Sequence, residues 1–136
     1  MSAARRRAGL WLSARLLLAS AFLASGVMKV IDFTGAVAEV RALTGMEPAS
    51  PIAALVILTQ LGGSALLLIG GRSTVIGAFL LASFTFAATV LGHAFWTKAG
   101  PQQARDLVTF LEHMGLIGGF VLVALLSRGG AVDDRR

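Results

Sequence analysis

The chain has no cysteine. Disulfides, thiolate metal sites, iron–sulfur ligation and thiol redox chemistry by the chain itself are thereby excluded. Charge is scarce as well: 14% of the 136 residues are charged, against about 25% in an ordinary soluble domain. Histidine occurs twice and proline three times. The bulk of the chain is apolar, with 56% hydrophobic residues and a mean hydropathy of +0.80. The length suits one domain, and one small water-soluble core cannot absorb so much apolar side chain. The composition points to an integral membrane protein.

The net charge of +5 and pI near 11.4 raise the question of nucleic acid, but the basic residues form no single patch. Arg5, Arg6, Arg7, Arg128, Arg135 and Arg136 sit at the two ends, where positive charge sets membrane orientation and touches anionic lipid. No nucleic-acid partner is expected. The lipid bilayer is.

Residues 1–8 read as a short basic tail. Residues 9–31 follow as an apolar run of 23 residues, about 34 Å of helix and enough to span a bilayer. A cleaved signal peptide is the rival, since Ala19-Ser20-Ala21 mimics a cleavage site. Arg15 would interrupt its apolar region, and apolar sequence runs on past the cut, so a retained helix is expected. Arg15 lies about 9 Å inside the helix start, from where it can snorkel to the near headgroups. In the connection 32–50, Thr34 to Leu43 sets Ala36, Val37 and Val40 opposite Glu39 and Arg41, which suggests a short interfacial helix. Thr44-Gly45 and Pro48 to Pro51 break it. Further spans are expected at 51–69, 73–95 and 105–126, with Pro51 suited to a first helical position. The expected fold is all-α: a four-transmembrane-helix bundle over 9–127, a short interfacial helix between spans one and two, and a charged tail at 128–136.

Orientation follows from the Lys and Arg count. Eight lie on the side of the termini (Arg5, Arg6, Arg7, Arg15, Arg72, Arg128, Arg135 and Arg136) and four on the other (Lys29, Arg41, Lys98 and Arg105). Both termini are therefore expected in the cytoplasm. Trp11 and Trp96 fall near the two interfaces.

Both histidines lie between Gly92 and Gly119. Polar side chains within membrane helices are expensive, so their retention asks for a reason. By helical spacing Asp106, Phe110, His113 and Ile117 share a face of the fourth span, with Glu112, Gly115 and Gly119 beside it. Thr85, Thr89 and His93 recur on the third, flanked by Phe86 and Trp96. Phe22, Ser25, Gly26 and Lys29 line the first. These faces are expected to converge on one pocket in the outer half, with His93, His113, Lys29, Glu112, Gln60 and Trp96 as candidate ligand-binding residues. Gln60, at the middle of span two, reads first as a helix–helix contact and second as a pocket donor.

Several roles remain open at this point. The polar residues brace the helices, or they bind a quinone-like ring that needs hydrogen-bond donors and an aromatic, water-poor slot. Metal binding through His93, His113 and Glu112 lacks a tight ligand motif. A haem held by both histidines is disfavoured, because their expected depths differ by roughly 9 Å. A small transporter or a partner-docking surface completes the set. No catalytic residues are expected, since there is no nucleophile–base pair or cofactor motif.

The chain resembles the DoxX family of small bacterial and archaeal membrane proteins. The resemblance rests on Arg15, Ser25-Gly26-Val27-Met28-Lys29 with Phe33, Gln60-Leu61-Gly62-Gly63, Leu68 to Arg72, His93-Ala94-Phe95-Trp96, and Phe110-Leu111-Glu112-His113 with Leu116 to Gly119. It covers residues 10–126. Two departures stand out: Gln60 replaces a frequent Glu, and Glu112-His113 replaces Lys-Asn, with His113 in the place of the Asn donor. The resemblance implies a four-helix inner-membrane protein linked to oxidoreductase complexes, with redox-complex partners, and it supplies no substrate. With the residue reading, the expected role is an accessory or anchor subunit of a redox complex that holds a quinone-like ligand in its outer half. A scaffold without ligand or a small transporter is the alternative, and a homo-oligomer is among the expected assemblies.

Overall fold

The computed structural model describes residues 3–128. All its regular structure is helical: α1 (Ala3–Ile31), α2 (Phe33–Thr44), α3 (Ala49–Ile69), α4 (Arg72–Gly92), a 3-10 turn (Phe95–Thr97) and α5 (Gly100–Arg128). Four helices, all but α2, are long and apolar enough to cross a membrane. The expected four-span bundle with a short helix between spans one and two is what the chain forms. Exposed Leu17, Leu58, Phe79 and Leu122 belong to the lipid-facing surface that such a bundle presents.

Helix α3 begins at Ala49, so Pro51 is its third residue rather than its first, and in three places the helix ends differ from the sequence expectation by three residues or more. The first helix begins at Ala3, so Arg5–Arg7 ride on its first turns rather than in a tail; Ala and Arg are strong helix formers. Helix α4 stops at Gly92, and His93 caps it with its N–H still bonded to the Thr89 carbonyl at 2.8 Å. Helix α5 begins at Gly100, where Pro101 fits a first turn that needs no N–H. The tail expected over 128–136 lies, from residue 129 on, outside the described residues.

Helix α2 is held at both ends. Asp32 accepts from the Gly35 N–H at 2.8 Å, and Gly45, at φ 66°, donates its N–H to the Arg41 carbonyl. These are the N-cap and left-handed C-cap devices that satisfy stranded helix-end groups. Its buried Ala36 and Val40 pack on Ala49 and Ala53 of α3.

The spans pack in the order α1, α3, α4, α5. The main core, toward the end of the bundle that carries the termini, joins Ala19 and Phe22 of α1, Leu67 of α3, Ala78 and Leu81 of α4, and Phe120 and Val123 of α5. Helices α1 and α5 touch lightly, with Phe22 and Phe120 rings 5.6 Å apart. Helices α3 and α4 approach backbone to backbone at Gly77, where a Cβ would strike the Leu67 nitrogen and the Gly63 carbonyl. Such small-residue contacts let membrane helices gain van der Waals packing where no hydrophobic force separates helix from lipid.

Candidate functional site

At the terminal end, Arg15 departs from expectation. It is 8% exposed and turns into the bundle rather than out to headgroups. Its Nη1 donates to the Leu67 carbonyl at 3.2 Å and to Thr74 Oγ1 at 3.1 Å, and its guanidinium sits over the Trp11 ring at 5.7 Å. Leu67 lies in the last turn of α3, where carbonyls lack helical partners and the helix dipole favours a cation. Arg15 thus supplies donors that the end of α3 lacks.

At the far end, the polar residues form two clusters rather than one pocket. In the first, Lys29 Nζ lies 2.7 Å from Glu39 Oε2 of α2 and 3.3 Å from Ser25 Oγ. Gln60 Nε2 of α3 donates to the same Ser25 Oγ at 3.1 Å. A polar line therefore runs from half-exposed Glu39 through Lys29 and Ser25 to Gln60 in the middle of α3, where Gln60 is buried. Its Oε1 is buried without a partner among the described residues.

The second cluster joins α4 and α5. Thr85 Oγ1 bonds the Leu81 carbonyl and Thr89 Oγ1 the Thr85 carbonyl, each at 2.6 Å. Thr89 Oγ1 lies 2.7 Å from His113 Nδ1. His93 Nδ1 lies 3.2 Å from Asp106 Oδ1, and Gln102 Nε2 sits 3.1 Å from both oxygens of that buried carboxylate. The two imidazoles touch edge to face, with centroids 5.4 Å apart. Phe95, two residues after His93, and Phe110, three before His113, form an aromatic trio with Trp96, at 5.2, 5.4 and 6.0 Å.

The contact between the rings corrects the expected 9 Å difference in depth. Because α4 ends early at Gly92 and α5 extends past the apolar stretch, His93 hangs at the level that His113 reaches from the neighbouring helix. Axial ligation of one haem still fails, now because touching rings leave no gap for a porphyrin. Among the described residues no group of three or more His, Cys, Asp or Glu side chains could hold a metal ion, so His93, His113 and Glu112 make no metal centre there.

Of the candidate residues, His93 and His113 come together, Trp96 packs on Phe95 and Phe110, and Lys29 and Gln60 belong to the other cluster. Glu112 joins neither. It is exposed on the outer side of α5, in a shallow groove of about 450 Å³ with Ala104, Arg105, Val108 and Thr109. Phe86, expected beside the histidines, is exposed. Asp106 serves His93 rather than His113. Two partners escaped the sequence reading, Gln102 and Glu39. The spacing of Gln102 four residues before Asp106 is a usable helical signal. Glu39 pairs with Lys29 through the placement of α2, which no local pattern gives.

The family model described as DoxX matches residues 10–94, more than half of the chain. That match reaches His93 and ends before α5. The chain is 28% identical, over 127 residues, to the inner membrane protein YphA of Escherichia coli (strain K12), covering 93% of this chain and 89% of that protein. No solved structure matches. The family match, with four helices long and apolar enough to cross a membrane, identifies the chain as an integral membrane protein of the DoxX family.

Proposed function

We propose that the chain is an accessory or anchor subunit of a redox complex in the inner membrane, and that it holds a quinone-like ring at the His93–His113 cluster. One observation carries the reading: two imidazoles are in contact, each using only Nδ1 for its hydrogen bond to the protein, and the chain positions next to them, two after His93 and three before His113, carry Phe95 and Phe110 of an aromatic trio with Trp96. Polar ring nitrogens next to an aromatic wall at the membrane boundary suit a flat amphipathic ring. The inner membrane is supported by the name of the relative YphA. The excess of Lys and Arg at the terminal end, eight against four, supports cytoplasmic termini, and a reporter fused at residue 136 that is active in the periplasm would reverse that assignment.

A second reading, a scaffold with no ligand, is favoured by the bonds His93–Asp106 and His113–Thr89, which brace α4 on α5. Purification in mild detergent from native membranes, with analysis of bound small molecules and melting temperature, separates the two. Under ring binding, His93→Leu and His113→Leu lose the bound molecule while the bundle stays folded. Under the scaffold reading they melt earlier, and any bound molecule follows the folded fraction.

A further inference from the structure

The hydrogen bonds of the second cluster fix where the imidazole protons sit. Thr89 Oγ1 is 2.6 Å from the Thr85 carbonyl. Two oxygens that close repel unless a proton lies between them, and the carbonyl has none to give. The Thr89 hydroxyl proton is therefore committed to Thr85. The other contact of Thr89 Oγ1, 2.7 Å to His113 Nδ1, then needs its proton from the imidazole. Thus His113 carries Nδ1–H.

The same holds for His93. Asp106 takes the Gln102 amide on both oxygens, as an ionised carboxylate that only accepts. His93 Nδ1, 3.2 Å from Asp106 Oδ1, must donate. A neutral imidazole holds one proton, so Nε2 of each ring is left as a lone pair. Among the described residues neither Nε2 has a protein partner. A metal would answer two such lone pairs, but Asp106, the carboxylate in the cluster, is on the Nδ1 side of His93, and among the described residues no three His, Cys, Asp or Glu side chains could hold a metal ion.

Given the ring-binding reading above, on which this rests, we infer that the cluster selects its ligand in the hydroxyl-bearing, reduced form: a hydroquinone or phenol whose O–H donates to Nε2 of His93 or His113. A quinone carbonyl only accepts and would face an acceptor. The chain thereby discriminates between two redox states of one ring without touching its electrons. Thr89 is a positioning residue here, acting through His113.

Two measurements on the full chain in detergent test this. Nitrogen-15 NMR of labelled histidine reads the tautomers directly, and both neutral rings are expected to be protonated at Nδ1; a neutral His113 protonated at Nε2 overturns the inference. Anaerobic calorimetric titration with a short-tailed 1,4-benzoquinone and with its hydroquinone is expected to give about tenfold or tighter binding of the hydroquinone, the effect of one unmade hydrogen bond. Equal affinities, or tighter quinone, overturn the tautomer selection and leave the ring site standing. Binding of neither form overturns the ring-binding reading itself, and the selection with it. Thr89→Val, which removes the acceptor for Nδ1–H, is expected to bring the affinity ratio toward one, while Thr89→Ser keeps the ratio. An unchanged ratio in folded Thr89→Val rules out His113 as the acceptor, and the wild-type measurements decide the selection itself, also should that variant not fold.

Discussion

Arg15 on α1 donates to the Leu67 carbonyl on α3, 52 positions away in sequence. The bond is 3.2 Å long, in a part of the bundle where Thr74 of α4 offers its hydroxyl to the same carbonyl at 3.2 Å. Three helices thus meet on one oxygen. Without Arg15 that carbonyl would keep Thr74 as its donor, and the Thr74 oxygen would lose the donor it accepts from, so the guanidinium adds a second tie across three helices where lipid offers no substitute.

Arg15→Leu is therefore expected to lower stability by about 1.5–3 kcal/mol, the range for hydrogen bonds to charged groups. Arg15→Lys keeps the charge but loses the planar fork and its stacking on Trp11, so it should recover only part of the loss. Thermal unfolding in a fixed detergent reads both. A variant that melts with the wild type would mean the guanidinium contributes no net stability.

Gly77 makes a contrasting prediction with two other glycines. A Cβ at Gly77 collides with α3 backbone, whereas Gly115 and Gly118 have nothing within 4 Å of that position. Gly77→Ala must push α3 and α4 apart and should cost about 1–3 kcal/mol. Gly115→Ala and Gly118→Ala should be neutral or slightly stabilising, because Ala is the better helix former. The three melting curves, taken side by side, check the packing.

How much of this was legible beforehand depends on what lipid does to the sequence signal. Four spans and α2 were visible, because length, hydropathy and breakers such as Gly45 and Gly70 are local. The rotation of each helix about its axis was not. Lipid is as apolar as a helix core, so α3 and α4 are hydrophobic all round and periodicity says little about which face turns inward. Hence Glu112 and Phe86 were expected inside and are exposed, while Arg15 was expected to reach outward and is buried. The nearness of His93 to His113 depended on helix ends, and a shift of a few residues there moves a side chain by a full turn.

Outside the spans, Arg41 Nε bonds Glu47 Oε1, and Glu47 Oε2 accepts from the Ala49 N–H at 3.0 Å. The Arg41 bond first, then the Ala49 bond, hold the Glu47 carboxyl below its ordinary value, while Arg41 is raised by its bond to Glu47. A depressed folded-state carboxyl contributes stability above its unfolded pKa and loses it as pH falls through the folded value. Both side chains are more than half exposed, so water and salt screen the pair and the contribution is small. An NMR titration of Glu47 should show a midpoint below that of a free glutamate at low salt, moving upward in Arg41→Gln. A midpoint unchanged by that substitution would show that the pair does not persist in solution.

The last prediction concerns Ser25 and Gln60, and it reverses the usual ranking by size. The Ser25 hydroxyl accepts from both Lys29 Nζ and Gln60 Nε2, so Ser25→Ala takes the acceptor from the buried Gln60 amide and leaves Lys29 with Glu39 alone. Gln60→Met removes one of those donors together with an Oε1 that already lacks a partner among the described residues. Losing a shared acceptor exposes the desolvation cost of what remains, about 1–3 kcal/mol, whereas removing a half-satisfied polar group in favour of an apolar one of like shape can be nearly neutral. Ser25→Ala is thus expected to melt earlier than Gln60→Met, although it deletes a single oxygen. The double variant Ser25→Ala with Gln60→Met should cost less than the sum of the two, because the stranded amide donor is gone from it. Lys29 keeps Glu39 at 2.7 Å throughout, so the coupling read by this cycle belongs to the Ser25–Gln60 bond. Strict additivity of the two substitutions would show that the bond from α1 to α3 contributes nothing to holding those helices together.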